Sequence, residues 1–330
     1  MSPIVINFLL LVLGVLLLLW AGDWLVRGAA SLARKWGVPA LIVGLTIVAF
    51  GTSAPELVVS VQAVLRGASE LAIGNVIGSN IANVLLVLGA PAIIMAIPTN
   101  VSGVARNSFA ALAATLILMG LMFIHRPLVM WQGAILFLGI VLYLSWMFSL
   151  AKSGADDPAL VDMAEIDEMS GMPSKMGVIV GFILFGIFGL AFGGHLIVEN
   201  ATQIAQAFNV SEAVIGLTIV AIGTSLPELA TVIVAAYRGQ TDVAIGNVLG
   251  SNIFNIFAVM GAAALTGAVH IPPKFMVFDI WVMLAAMVAL TVFILRRMPI
   301  SRPIGIVFLL GYILYMAAIS REFVGAGLPA

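Results

Sequence analysis

Two glutamates sit inside apolar runs where a carboxylate is costly, and each is flanked by the same companions. Residues 51–57 read "GTSAPEL" and residues 223–229 read "GTSLPEL". Each stretch combines two hydroxyls with a carboxylate: Thr52, Ser53 and Glu56 in one, Thr224, Ser225 and Glu228 in the other. Burying one carboxylate at membrane depth costs roughly 2.5–3.5 kcal/mol on insertion scales. Two in one bundle repel each other unless a cation or a proton intervenes. Pro55 and Pro227 donate no backbone hydrogen bond and crowd the preceding turn, so with Gly51 and Gly223 they are expected to break their helices. Such a break must lie within protein or line a wet cavity. The carbonyls it frees are oxygen ligands, with Ala49 and Ala221 expected among them. Downstream, "GNVIGSNIAN" (74–83) and "GNVLGSNIFN" (246–255) place Ser79 with Asn83, and Ser251 with Asn255, four residues apart. Residues at that spacing share a helix face. Carboxylate, hydroxyl, amide and backbone carbonyl are all hard oxygens, which suit Ca²⁺ or Na⁺ rather than zinc or copper.

The elements that must hold these residues are membrane helices. Hydrophobic residues make up 62% of the 330 and charged residues only 9%, against about a quarter charged in soluble domains. Apolar runs of about twenty residues, the length needed to cross a bilayer core of roughly 30 Å, recur along the chain. The first run lacks a basic leader and a small-residue cleavage site and reads as a retained span. The absence of cysteine excludes disulfides and thiolate metal sites. No basic patch suggests nucleic acid. Ten spans are predicted: 4–26, 40–65, 71–96, 104–124, 128–150, 176–198, 212–237, 242–267, 275–295 and 303–320. The acidic stretch "AKSGADDPALVDMAEIDEMSGMPSK" divides them into an N-terminal unit, 1–150, a linker, 151–175, and a C-terminal unit, 176–330. Of the 14 Lys and Arg residues, all but Arg66, Arg126, Lys274 and Arg321 fall on the linker's side. The positive-inside rule therefore makes the linker cytoplasmic and places both termini outside.

The two units are copies. Residues 44–83 and 216–255 align without a gap at an offset of 172, with 25 of 40 positions identical. Each unit has five spans, an odd number, so the second must enter the membrane upside down. The predicted fold is thus an all-α polytopic membrane protein whose ten transmembrane helices form two inverted-topology repeats of five, an arrangement that places binding near the bilayer midplane. Helix packing alone tolerates many apolar exchanges, so a shared chemical task explains the retained block better.

Paired GTSxPEL and GNVxGSN motifs in inverted five-span halves resemble the α-repeats of the sodium/calcium exchangers, within the calcium/cation antiporter superfamily. The resemblance covers the full ten-span plan. It implies a Ca²⁺ site flanked by Na⁺ sites, with Glu56 and Glu228 as main Ca²⁺ ligands shared with Na⁺, and Asn83 and Asn255 lining the middle. It assigns the Ala49 and Ala221 carbonyls, Thr52, Ser53, Thr224, Ser225, Ser79 and Ser251 to Na⁺. It also implies exchange of about three Na⁺ per Ca²⁺, and spans 1 and 6 as a sliding gate. Asn255 stands where the potassium-dependent branch has Asp, so K⁺-independence is expected. Ca²⁺ and Na⁺ would be substrates, the lipid bilayer the surround, with no cofactor, no nucleic-acid partner and a monomeric carrier.

Three other activities remain open on the residues alone. A Ca²⁺/H⁺ antiporter would trade protons at the glutamates. An intramembrane hydrolase would need a base beside Ser53 or Ser225, whereas His125, His195 and His270 are expected near span ends. A cation channel fits inverted repeats less well than alternating access does. Asp23 and His195 occupy matching positions and read as interfacial or gate-packing groups. Asp279 is expected near a span end, in water. Trp20, Trp24, Trp131 and Trp146 read as interface anchors.

Overall fold

The computed structural model describes residues 3–153, 172–208 and 221–325. It is nearly all helical: α1 (Pro3–Trp36), α2 (Ala40–Thr52), α3 (Ala54–Leu65), α4 (Ser69–Ile94), α5 (Val104–Ile124), α6 (Met130–Ser153), α7 (Met176–Ala207), α8 (Leu226–Tyr237), α9 (Thr241–Thr266), α10 (Phe275–Leu295) and α11 (Arg302–Gly325). Among the described residues, 8 helices are long and apolar enough to cross a membrane, or 9 if α2 and α3 form one bent span. The start of the span expected at 212–237, and most of the acidic linker, lie outside the described residues.

Matching residues adopt matching geometry. Ser53 breaks the second span with φ −88° and ψ 3°, and Ser225 does the same with φ −89° and ψ 3°. After α3 and α8 the chain turns through left-handed Gly67 (φ 77°) and Gly239 (φ 70°). At each turn the next amide reaches back five residues at 2.8 Å, Ala68 to Ala63 and Gln240 to Ala235. Only glycine takes that conformation without a steric cost, and the bond satisfies a carbonyl the helix end would otherwise strand. Two short antiparallel bridges join the halves, Ile97 to Ile300 and Leu128 to Val269. Each residue of one bridge is the 172-offset counterpart of a residue in the other.

The core follows from where small residues fall. A Cβ on Gly44 would meet the Val243 carbonyl oxygen at 3.0 Å, and one on Gly250 would meet Leu45 O and Ala49 Cβ at 2.6 Å. The backbones of α2 and α9 therefore pack directly on each other, as small residues permit. Outside this pair lies the extensive contact of α1 with α7, where Gly14 faces the Gly193 carbonyl.

Several expectations shift. The helices read as 4–26 and 176–198 run on to Trp36 and Ala207. Polar side chains are accommodated there by partners one turn away: Arg27 with Asp23 at 3.3 Å, and His195 with Glu199 at 3.1 Å. Asp23 and His195 thus lie within helices and not at their ends. The second span bends by 44° at Ser53, and Pro55 opens the following helix, where its missing N–H costs nothing. Asp279 is 5% exposed and not wet; Tyr315 donates to its Oδ1 at 2.9 Å. The matching Tyr143 donates to Asn107 Oδ1 at 3.2 Å, so a tyrosine supplies the polar partner in both halves. Trp24 is stacked on Phe182 of α7 at 4.6 Å, which makes it a packing residue between helices.

Candidate functional site

The bend at Ser53 starts a new helix at Ala54, and Glu56 falls in its first turn. Glu228 falls in the first turn of α8 in the same way. A helix N-terminus carries partial positive charge, which favours an anion there. It does not complete the job. Glu56 is 1% exposed and Glu228 0%, and both carboxylate oxygens of Glu56 lack a hydrogen-bond partner, as does Glu228 Oε2. Glu228 Oε1 accepts a bond from Ser53 Oγ at 3.2 Å, so the first half contacts the carboxylate of the second. The two carboxylates are within electrostatic reach of each other.

The other wall comes from α4 and α9. Asn83 and Asn255 each begin a π-helical turn, Asn83–Val87 and Asn255–Val259. Such turns widen a helix locally and recur at functional sites. Asn83 donates its Nδ2 to Asn252 Oδ1 at 3.1 Å, which leaves Asn83 Oδ1 buried without a partner. Both polar atoms of Asn255 and the hydroxyl of Ser225 are buried without partners as well. Thr52 Oγ1 lies 3.4 Å from Ser251 Oγ and 3.3 Å from the Ala49 carbonyl oxygen.

The candidate residues are therefore joined unevenly. Ser53 meets Glu228, and Thr52 meets Ser251 and Ala49. Ser79 is buried on α4, and Thr224 is half-buried next to Ser225, with no bond to another candidate recorded for either. The Ala49 carbonyl is already engaged, by Ser53 N–H at 3.0 Å. In the second half the Ser225 N–H bonds the Ile222 carbonyl at 3.0 Å. The carbonyl that Pro55 leaves without its usual donor is that of Gly51. Two buried asparagines of α9 escaped the reading of the sequence, Asn247 and Asn252. Asn247 continues the four-residue register of Ser251 and Asn255, and that signal was there to be followed. The histidines bond elsewhere: His125 to the Pro127 carbonyl, His195 to Glu199 and His270 to Ser69.

Hard oxygens with unspent lone pairs, around two buried carboxylates, fit a cation as cargo. Among the described residues no group of three or more His, Cys, Asp or Glu offers another metal centre. The profile of the sodium/calcium exchanger protein family matches residues 6–149 and 178–321, nearly the whole of both halves. The chain belongs to the sodium/calcium exchanger family. The inner membrane protein YrbG of Escherichia coli K12 is 36% identical over 315 residues, 93% of this chain and 95% of its own. The sodium/calcium exchanger MaX1 of Methanosarcina acetivorans is 31% identical over 350 residues, covering 96% and 99% of the two chains. Among solved structures, the sodium-calcium exchanger NCX_Mj soaked with Na⁺ and Sr²⁺ superposes with a TM-score of 0.81 at 31% identity, over 95% of this chain and 98% of that one. The same exchanger soaked without Na⁺ and Ca²⁺ gives 0.80. This family member is a multi-pass membrane protein of helical architecture and a transporter of the antiporter class.

Proposed function

We propose that the chain exchanges Na⁺ for Ca²⁺ by alternating access at one central site. The observation that carries this reading is the pair of buried glutamates whose oxygens have no partner sufficient to neutralise them. One Ca²⁺ balances two carboxylates, whereas three Na⁺ leave one net positive charge. Moving that charge is worth about 2.3 kcal/mol per 100 mV, so the exchange is electrogenic. The stoichiometry of about three to one rests on the resemblance, as does K⁺-independence, which is tied to Asn255. An emptied site with uncompensated charge crosses the membrane poorly, which enforces exchange over leak.

In this reading Glu56 and Glu228 are the main Ca²⁺ ligands, with Asn83 and Asn255 between them. Thr52, Ser53, Ser79, Thr224, Ser225, Ser251 and the carbonyls of Ala49 and Ala221 serve Na⁺. Ten spans form two inverted repeats, 1–150 and 176–330, around a cytoplasmic linker, 151–175, with both termini outside. The 172-offset matches in bends, caps and bridges support the repeat. The carrier works as a monomer in the cell membrane without a cofactor.

The test is ⁴⁵Ca²⁺ uptake into proteoliposomes loaded with Na⁺, against vesicles loaded with K⁺ or choline, with a proton ionophore present. Uptake that needs internal Na⁺ is the expected result. Equal uptake without Na⁺, collapsing with the pH gradient, would replace this reading with Ca²⁺/H⁺ exchange.

A further inference from the structure

Thr52 Oγ1 has a third oxygen beside it, nearer than the two proposed ligands: Asn247 Oδ1, at 3.1 Å. A threonine hydroxyl has one proton and two lone pairs. Asn247 Oδ1 and the Ala49 carbonyl carry no proton, and the Ala49 carbonyl already receives Ser53 N–H at 3.0 Å. The shorter contact favours Asn247 as the acceptor of the Thr52 proton, in competition with the Glu228 carboxylate, which also lies within hydrogen-bonding reach of Thr52 and Ser251. In that orientation the hydroxyl's lone pairs point away from Asn247. A cation binds a hydroxyl only through a lone pair, so a proton without a fixed acceptor would spend part of its time aimed at the ion.

Asn247 makes this bond where its repeat counterpart does something else. Asn75 donates its Nδ2 to Ser60 Oγ at 3.0 Å and to the Glu56 carbonyl at 3.4 Å, staying within the first half. The counterpart of Ser60 is Val232, buried and unable to accept. Asn247 is 0% exposed and its Nδ2 has no partner. An unsatisfied buried donor is destabilising, so stability alone would favour leucine here. What the amide gains in return is its oxygen on Thr52, across the seam between halves.

We propose that Asn247 is a positioning residue of the cation site: it holds the Thr52 proton so that the hydroxyl presents its lone pairs to Na⁺, and thereby sets the site's Na⁺ affinity. The inference rests on the Na⁺/Ca²⁺ exchange reading above.

The test is a double-mutant cycle on the full chain in proteoliposomes, reading the internal Na⁺ concentration that half-saturates ⁴⁵Ca²⁺ uptake, alongside the Ca²⁺ half-saturation. Asn247→Leu keeps the volume and removes the acceptor; it should raise the Na⁺ value about tenfold, the worth of one buried hydrogen bond. The Ca²⁺ value should move much less. In a Thr52→Val background, Asn247→Leu should cause no further loss. Multiplicative losses in the double variant, or equal shifts for Na⁺ and Ca²⁺, would overturn the proposal by making Asn247 a packing residue. Should Asn247→Leu fail to elute as folded protein, Asn247→Thr, whose shorter side chain falls short of Thr52, takes its place in the cycle with the same expected result. Wild-type protein without Na⁺-driven uptake would overturn the exchange reading itself, and this inference with it.

Discussion

Ser53 Oγ donates to Glu228 Oε1 at 3.2 Å, a bond that crosses from the bend of one half to the helix start of the other. Hydrogen bonds to an ionised group are worth about 1.5–3 kcal/mol. Ser53→Ala should therefore raise the Na⁺ half-saturation of Ca²⁺ uptake by about tenfold or more, while the folded protein survives. An unchanged Na⁺ dependence would remove Ser53 from the site.

Replacing either glutamate by glutamine should have opposite effects on transport and on stability. Glu56→Gln or Glu228→Gln removes a ligand that nothing else replaces, and Ca²⁺ uptake should fall at least about a hundredfold, as expected for breaking one buried charge pairing. The same change deletes one of two mutually repelling buried charges. In buffer free of Na⁺ and Ca²⁺ the variants should melt at a higher temperature than wild type. Added Ca²⁺ should then stabilise them less, by the loss of binding linkage. A variant that kept wild-type uptake would refute the site assignment.

Direct backbone contact between α2 and α9 makes a single methyl group informative. Gly250→Ala places a Cβ 2.6 Å from both Ala49 Cβ and Leu45 O, and overpacking of this kind costs roughly 1–3 kcal/mol. Gly120→Ala meets nothing within 4 Å and should gain up to about 1 kcal/mol from helix propensity. Melting temperatures of the two variants in one detergent would separate them. Equal melting would mean that α2 and α9 can part without loss.

Asp23 bridges Arg27 on its own helix and Arg238 beyond the end of α8. The groups are about a quarter exposed or less, so the cross-helix pair should be worth about 0.5–1 kcal/mol. A thermal-unfolding cycle with Asp23→Asn and Arg238→Gln should return a coupling of that size. A coupling of zero would reduce the pair to a surface contact.

The residues of the candidate site were legible in the sequence because membrane burial makes polar residues expensive. Glu56, Glu228 and the serine–asparagine pairs stood out against an apolar background, and the duplication filtered accident from purpose. Helix ends were less legible. Asp23 and His195 are expected at span ends as interfacial or gate-packing groups, but each bonds a residue one turn away within a longer helix, Asp23 to Arg27 and His195 to Glu199, and such pairing is a spatial fact that composition does not display. Asp279 was misjudged for the same reason, since its partner Tyr315 lies 36 residues on, in another helix. Proline pointed to a break but not to its position. A proline accommodated in a first helical turn marks where the next helix begins, and the bend itself is at Ser53. Asn247 shares the helix face of Ser251 and Asn255, but its contact with Thr52 crosses between the halves and shows only in the fold.

At 1.5 Å per residue, the 34 residues of α1 extend about 51 Å and the 32 of α7 about 48 Å, against a hydrocarbon layer of roughly 30 Å. Such helices meet the bilayer by leaning in it or by projecting from it, and both respond to lipid thickness. The pair that packs together most extensively is thus also the part of the molecule most exposed to the width of its solvent. Thinner or thicker lipids would change the lean of α1 and α7 against the core behind them, making acyl-chain length a physical variable of turnover in its own right.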